Sequence, residues 1–141
     1  MKKIETICVD TLTAIQVNSY MADKQKPGHD QWKDYGQEIY NFMSGLQERG
    51  FEIVLILGEP GTGKSSGMRT LDSKTNIWFN ADNKNPVWAG GKKEYGKKSS
   101  PIFPFHVIPT KYDQILNHID GGINDGLFSE ERYAFVTGHT E

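Results

Sequence analysis

The residues best suited to chemistry are the run Gly58-Glu59-Pro60-Gly61-Thr62-Gly63-Lys64-Ser65. Wrapping a polyphosphate requires backbone amides turned inward, and Gly58, Gly61 and Gly63 reach the necessary backbone angles without a Cβ clash. Lys64 can then reach the β and γ phosphates and Ser65 can place its hydroxyl on Mg²⁺. A helix opening at Gly63-Lys64-Ser65 would aim its positive end at the anion. The expected nucleotide-binding set is therefore Glu59, Pro60, Gly61, Thr62, Gly63, Lys64, Ser65 and Ser66, with ATP and Mg²⁺ as ligands. Holding the metal also takes a carboxylate at the end of a neighbouring strand. The run Ile7-Cys8-Val9-Asp10 supplies one in Asp10. The alternative for Asp10 is a helix N-cap or a turn residue.

The elements that must position these groups alternate along the chain. Residues 4–9 are rich in β-branched side chains and stop at Asp10, as a buried strand would. From Asp30 to Arg49, Trp32, Tyr35, Ile39, Phe42, Met43 and Leu46 recur at helical spacing, and Gly50 supplies a stop. Phe51 to Leu57 is almost wholly apolar, which predicts a strand covered on both faces and leading into the glycine loop. A helix to about Leu71, a strand at Asn76 to Asn80 and an exposed glycine- and lysine-rich loop from Ala89 to Ser100 follow. Beyond them come a short strand at Phe105 to Ile108, a helix at Tyr112 to Ile119 and a last strand at Tyr133 to Thr137. Such alternation predicts an α/β fold with a mainly parallel sheet flanked by helices. At 141 residues the chain is expected to form one domain, residues 1–141.

Three segments together resemble the RecA-like ATPases, in particular the compact RecA-like ATPases of phages that assist recombination and single-strand annealing. Gly58 to Ser65 is similar to the first nucleotide motif of that family. Thr6-Ile7-Cys8-Val9-Asp10-Thr11 is similar to the second, in which the aspartate is followed by Ser or Thr. Ile77-Trp78-Phe79-Asn80-Ala81-Asp82 resembles the strand that delivers the catalytic acid, which implies that role for Asp82 although glutamate is usual. Val136-Thr137-Gly138-His139 resembles the strand end that senses the γ-phosphate, which implies His139 as sensor. The resemblance implies a three-layer P-loop NTPase in which Lys64, Asp82 and His139 are catalytic and Ser65 and Asp10 hold Mg²⁺. It also implies a site completed at a homo-oligomer interface, for which Arg49, Arg69 and Arg132 are the arginines available.

The order departs from the family pattern, because Asp10 precedes the phosphate loop. A circular permutation together with an exchange of two strands would account for it. In such a rearranged core the strands Phe51–Leu57 and Tyr133–Thr137 are neighbours, and Asp10 and Lys64 lie on adjacent strands around one Mg²⁺-nucleotide. A nucleotide-binding fold that does not hydrolyse, and a small-molecule or nucleotide kinase, are the competing functions.

Weaker signals lie outside these motifs. Residues 18–29 read as a polar loop in which Tyr20, Lys24, Lys26 and His29 could contact single-stranded DNA, or as a solvated connection. Lys92, Lys93, Lys97 and Lys98 form the most basic stretch, ordinarily a solvated loop. Trp78 and Phe79 are expected in the core, Cys8 as a small buried thiol, and His106 and His118 as structural. A net charge of −2 gives no overall attraction to nucleic acid. No apolar run reaches the roughly 20 residues of a bilayer span, and the expected address is cytoplasmic.

Overall fold

The computed structural model describes residues 2–22, 28–58, 71–83 and 103–139; the side chains of residues 18–22, 28–35 and 139 are not among those described. The strands are β1 (Ile4–Asp10), β2 (Phe51–Gly58), β3 (Asn76–Asn80), β4 (His106–Val107) and β5 (Phe128–His139). The helices are α1 (Leu12–Ala22), α2 (Gly28–Glu48) and α3 (Tyr112–Asn124). The strands form one sheet in the order β2-β5-β1-β3-β4, and every pairing is parallel. The α/β class and the parallel sheet expected from the alternating pattern are therefore present.

Because side chains alternate across a strand, β1 sends Ile7 and Val9 to one face and Thr6, Cys8 and Asp10 to the other. Ile7 and Val9 join Ile77, Phe79, Ala134 and Val136 in a continuous core. Leu12 and Ile15 of α1, Phe42 and Leu46 of α2, and Ile115 and Ile119 of α3 close over it. All three described helices thus cover the same face. On the opposite face Cys8 and Trp78 form a smaller cluster with Leu71 and Phe135. Trp78 and Phe79 are buried, as expected of core residues.

Local chemistry sets the element ends. Gln114, in the first turn of α3, carries its side-chain oxygen back to the amides of Thr110 (2.6 Å) and Lys111 (3.3 Å), which donate to it. Gly50 stops α2 in the left-handed region at φ 84°, where a side chain would be strained. Gly122 has a steric reason instead: a Cβ there would come within 2.6 Å of Phe128 and 2.7 Å of Phe103, so α3 can pack against them only through glycine.

Three expectations need correction. Residues 18–29 are not one loop: Tyr20 lies on α1 and His29 on α2, while Lys24 and Lys26 lie outside the described residues. The missed signal is Thr11, whose hydroxyl accepts a hydrogen bond from the Ala14 amide at 3.1 Å and so caps α1, with Leu12 and Ile15 facing the core. Second, β2 is an outer strand rather than one covered on both faces. Val54, Leu55 and Leu57 remain 40, 49 and 55% exposed. Third, β1 and β2 are not adjacent, since β5 lies between them. The expected pairing of Phe51–Leu57 with Tyr133–Thr137 does hold, from Phe51 opposite Arg132 to Gly58 opposite His139. No helix among the described residues is long and apolar enough to cross a membrane.

Candidate functional site

Parallel strands deliver their carboxyl ends to one edge of the sheet, and in open α/β sheets ligands bind in the crevice beyond that edge. The edge here is a row of short polar groups. β1 ends on Asp10, in register with Asn80 at the end of β3. On the other side Val9 pairs with Val136, so Thr137 of β5 stands beside Asp10. The Thr137 hydroxyl lies 2.9 Å from Asp10 Oδ1 and 3.3 Å from the Val9 carbonyl oxygen, and its single proton serves one acceptor at a time. The Ala81 amide donates to the Asp10 carbonyl at 2.8 Å, which fixes the backbone of β1 against that of β3. Asp10, Thr137 and Asn80 are all buried. Buried polar groups in this number are held by hydrogen bonds rather than by packing.

Beyond Asn80 the row continues to β4. Asn80 Nδ2 lies 3.2 Å from His106 Nε2, and the imidazole stacks on Trp78 with ring centroids 4.7 Å apart and planes 11° from parallel. Partial burial lowers the His106 pKa, which favours the neutral ring. Thr137, Asp10, Asn80 and His106 therefore occupy consecutive strands β5, β1, β3 and β4 on the face that carries Cys8 and Trp78.

The segment expected to form a phosphate loop follows β2 in the chain, but residues 59–70, with Lys64, Ser65 and Ser66, lie outside the described residues. Gly58, the last residue of β2, pairs with His139 at the same edge. With strands about 4.8 Å apart, Asp10 is separated from the end of β2 by about 10 Å and one strand end, that of Thr137. β2 ends at this edge, whereas β3, on the far side of β1, begins at the opposite edge with Asn76 opposite Thr6.

The other expected residues are placed as follows. Asp82 lies in the turn that closes β3, where the Asn83 amide donates to the Asn80 carbonyl at 3.1 Å and Asn83 is left-handed at φ 53°. That turn stands over the same edge. The backbone of His139 is the last of β5, and its side chain is outside the described residues. The side chains of Tyr20 and His29, Arg69 and the lysine-rich stretch likewise lie outside the described residues.

Arg49 and Arg132 are at the opposite end of the sheet. Arg49 forks onto Asp120 (Nε to Oδ1 2.7 Å, Nη2 to Oδ2 2.9 Å), and its guanidinium holds the Asp120 carboxyl below the usual carboxylate range. Arg132 donates to the carbonyls of Ser129 and Arg49 at 2.7 and 2.6 Å. Arg49 thus ties the end of α2 to α3, Arg132 ties β5 to the residue that follows α2, and both lie at the amino ends of the strands, opposite the edge that carries Asp10.

Burial pushes the Cys8 thiol up to about 12, which suits an inert core thiol. His118 bonds the Pro104 carbonyl at 2.9 Å and stacks on Phe103, a structural role as expected. Sequence reasoning missed Thr137, Asn80 and His106 as edge residues. The available signal was that Asn80, like Asp10, ends an apolar strand on a short polar side chain. Nothing in the sequence pairs His106 with Asn80.

Among the described residues no three His, Cys, Asp or Glu side chains cluster as a metal site. Mg²⁺, however, is commonly held by one or two carboxylates with phosphates and water completing its shell. One carboxylate beside a hydroxyl, at the edge where β2 ends on Gly58, is a donor set that fits it. Comparison with known proteins gave no matching family model, no matching curated protein and no matching solved structure.

Proposed function

We propose that this chain binds Mg²⁺-ATP at the carboxyl edge of its sheet and hydrolyses it, as a RecA-like P-loop ATPase with permuted motif order. One observation carries this most directly. The strand that ends on Gly58, where Gly58-Glu59-Pro60-Gly61-Thr62-Gly63-Lys64-Ser65 begins, and the strand that ends on buried Asp10 terminate at one edge, with β5 and Thr137 between them. Because β5 separates β2 from β1, the polyphosphate would lie across the ends of β2, β5 and β1.

In this arrangement Lys64 and the loop amides take up charge on the β and γ phosphates, and Ser65 and Asp10 hold Mg²⁺. The metal supplies neutralisation of charge on the phosphate oxygens. Thr137 donates to Asp10 Oδ1 and so helps to fix the carboxylate's orientation. His139, opposite Gly58, would sense the γ-phosphate. Arg49 and Arg132 are committed to structural hydrogen bonds, so turnover by the isolated chain is expected to be slow unless a second subunit or single-stranded DNA completes the site.

The test is phosphate release from Mg²⁺-ATP with and without single-stranded DNA. The expected result is slow basal release, abolished by chelating Mg²⁺ and raised by DNA. Nucleotide binding without any release would support a non-hydrolysing fold, and phosphate transfer to an added small molecule or nucleotide would support a kinase.

A further inference from the structure

On the side of the sheet away from β4, β2 is paired along one flank only. Its eight residues have β5 as their one strand neighbour among the described residues, in an unbroken register from Phe51 opposite Arg132 to Gly58 opposite His139. Alternate residues of a parallel strand turn both amide and carbonyl away from the neighbour, so the outer flank of β2 presents a row of backbone donors and acceptors. Outer strands are commonly blunted by proline, lysine, a bulge or brevity. β2 has none of these, and its sequence Phe-Glu-Ile-Val-Leu-Ile-Leu-Gly carries a single charge, Glu52. Its exposed apolar side chains stand on both faces. Leu55 and Leu57 lie opposite Val136 and Gly138 on the face under the helices, and Val54 lies opposite Phe135 on the face of Cys8 and Trp78. The other outer strand, β4, has two residues, too few to hold a partner strand in register. Copies of the chain therefore have no way to stack β2 onto β4 in an open array, and the match of equal length for β2 is β2 itself.

We infer that β2 is a self-association surface: two copies pair β2 with β2, antiparallel, about a two-fold axis normal to the sheet, and join their five-stranded sheets into one. Such an axis keeps each face of the sheet on its own side. Because side chains alternate with a period of two, residues facing each other across the axis must both be odd-numbered or both even-numbered. With Leu55 on the axis, Ile53 faces Leu57, Val54 faces Ile56 and Leu55 faces its own copy. Glu52 then faces Gly58, so the one charge of the strand meets neither a like charge nor an apolar side chain. With Val54 on the axis, Glu52 would face Ile56, which disfavours that register. In the antiparallel pair the carboxyl edges of the two copies point in opposite directions, so neither copy reaches the other's Asp10 and association is independent of nucleotide.

Sedimentation equilibrium without nucleotide, from about 1 to 300 µM protein, should show the mass rising from monomer toward dimer, as expected of a small, transient interface. Leu55→Lys and Leu55→Glu each set two like charges face to face on the axis and should weaken association at least roughly 30-fold. An equimolar mixture of the two variants should recover the dimer, because lysine then faces glutamate. Both should keep the parent's far-ultraviolet circular dichroism, since Leu55 is 49% exposed in the single chain. A parent chain that stays monomeric over the whole range would overturn the inference. So would a dimer indifferent to both substitutions, a dimer that mixing fails to restore, or one that forms only with Mg²⁺-ATP.

Discussion

Replacing Lys64 with alanine should weaken Mg²⁺-ATP binding by at least roughly 30-fold, the equivalent of about 2 kcal/mol for removing one partner of a desolvated charge pair. Lys64 is the one cation of the run Gly58 to Ser65, and the β and γ phosphates carry most of the charge to be compensated. The loop amides can still accept the polyphosphate, so residual binding is expected rather than none. Isothermal titration of the two proteins with Mg²⁺-ATP gives the ratio. Equal affinities would mean that the triphosphate sits elsewhere. The fold should be unaffected, because the described core contains no residue of that segment.

The second large effect is expected from Asp10→Asn. The side chain keeps its shape and its Oδ1 can still accept from Thr137, so packing around 2.9 Å is preserved while the charge is removed. Phosphate release should fall roughly 10²-fold, because a neutral amide is a poor ligand for a hard cation and charge on the γ-phosphate is then less well compensated. Nucleotide affinity measured in chelator should not change, since Asp10 acts through the metal. A variant with normal Mg²⁺-dependent release would return Asp10 to the structural role of a strand-end residue.

The elements legible in the sequence were those with a strong period or a chemical stop. β1 and β3 were read from β-branched and aromatic runs, and α2 from its repeating apolar positions and Gly50. The helix at Tyr112 was found, though it extends to Asn124. α1 was missed because, after Leu12 and Ile15, its residues from Asn18 to Tyr20 are polar or amphipathic and carry little helical period. β5 begins at Phe128, earlier than read, because the charged stretch Glu130-Glu131-Arg132 masks its start.

Strand order is a different kind of information. An apolar run such as Phe51–Leu57 states that a strand exists, but its neighbours depend on pairings made far along the chain. That is why β2 was taken as buried on both faces, and why Asp10 was placed next to the phosphate loop. Asp10 was singled out in the sequence because it is a carboxylate ending an apolar strand, and it does end β1 at the carboxyl edge. Thr137, Asn80 and His106 were not, because their significance comes from register: Val9 opposite Val136, Asp10 opposite Asn80 and Trp78 opposite His106.

The central claim is that the nucleotide lies on the carboxyl edge, across the ends of β2, β5 and β1. Paramagnetic broadening of backbone amide resonances by Mn²⁺-ADP reports distance from the metal residue by residue. The account predicts that Asp10, Asn80 and Thr137 are broadened first, at substoichiometric Mn²⁺-ADP, while Arg49, Asp120 and Arg132 at the amino end remain sharp. Broadening centred on the amino end, or none at the three edge residues under saturating nucleotide, would contradict it.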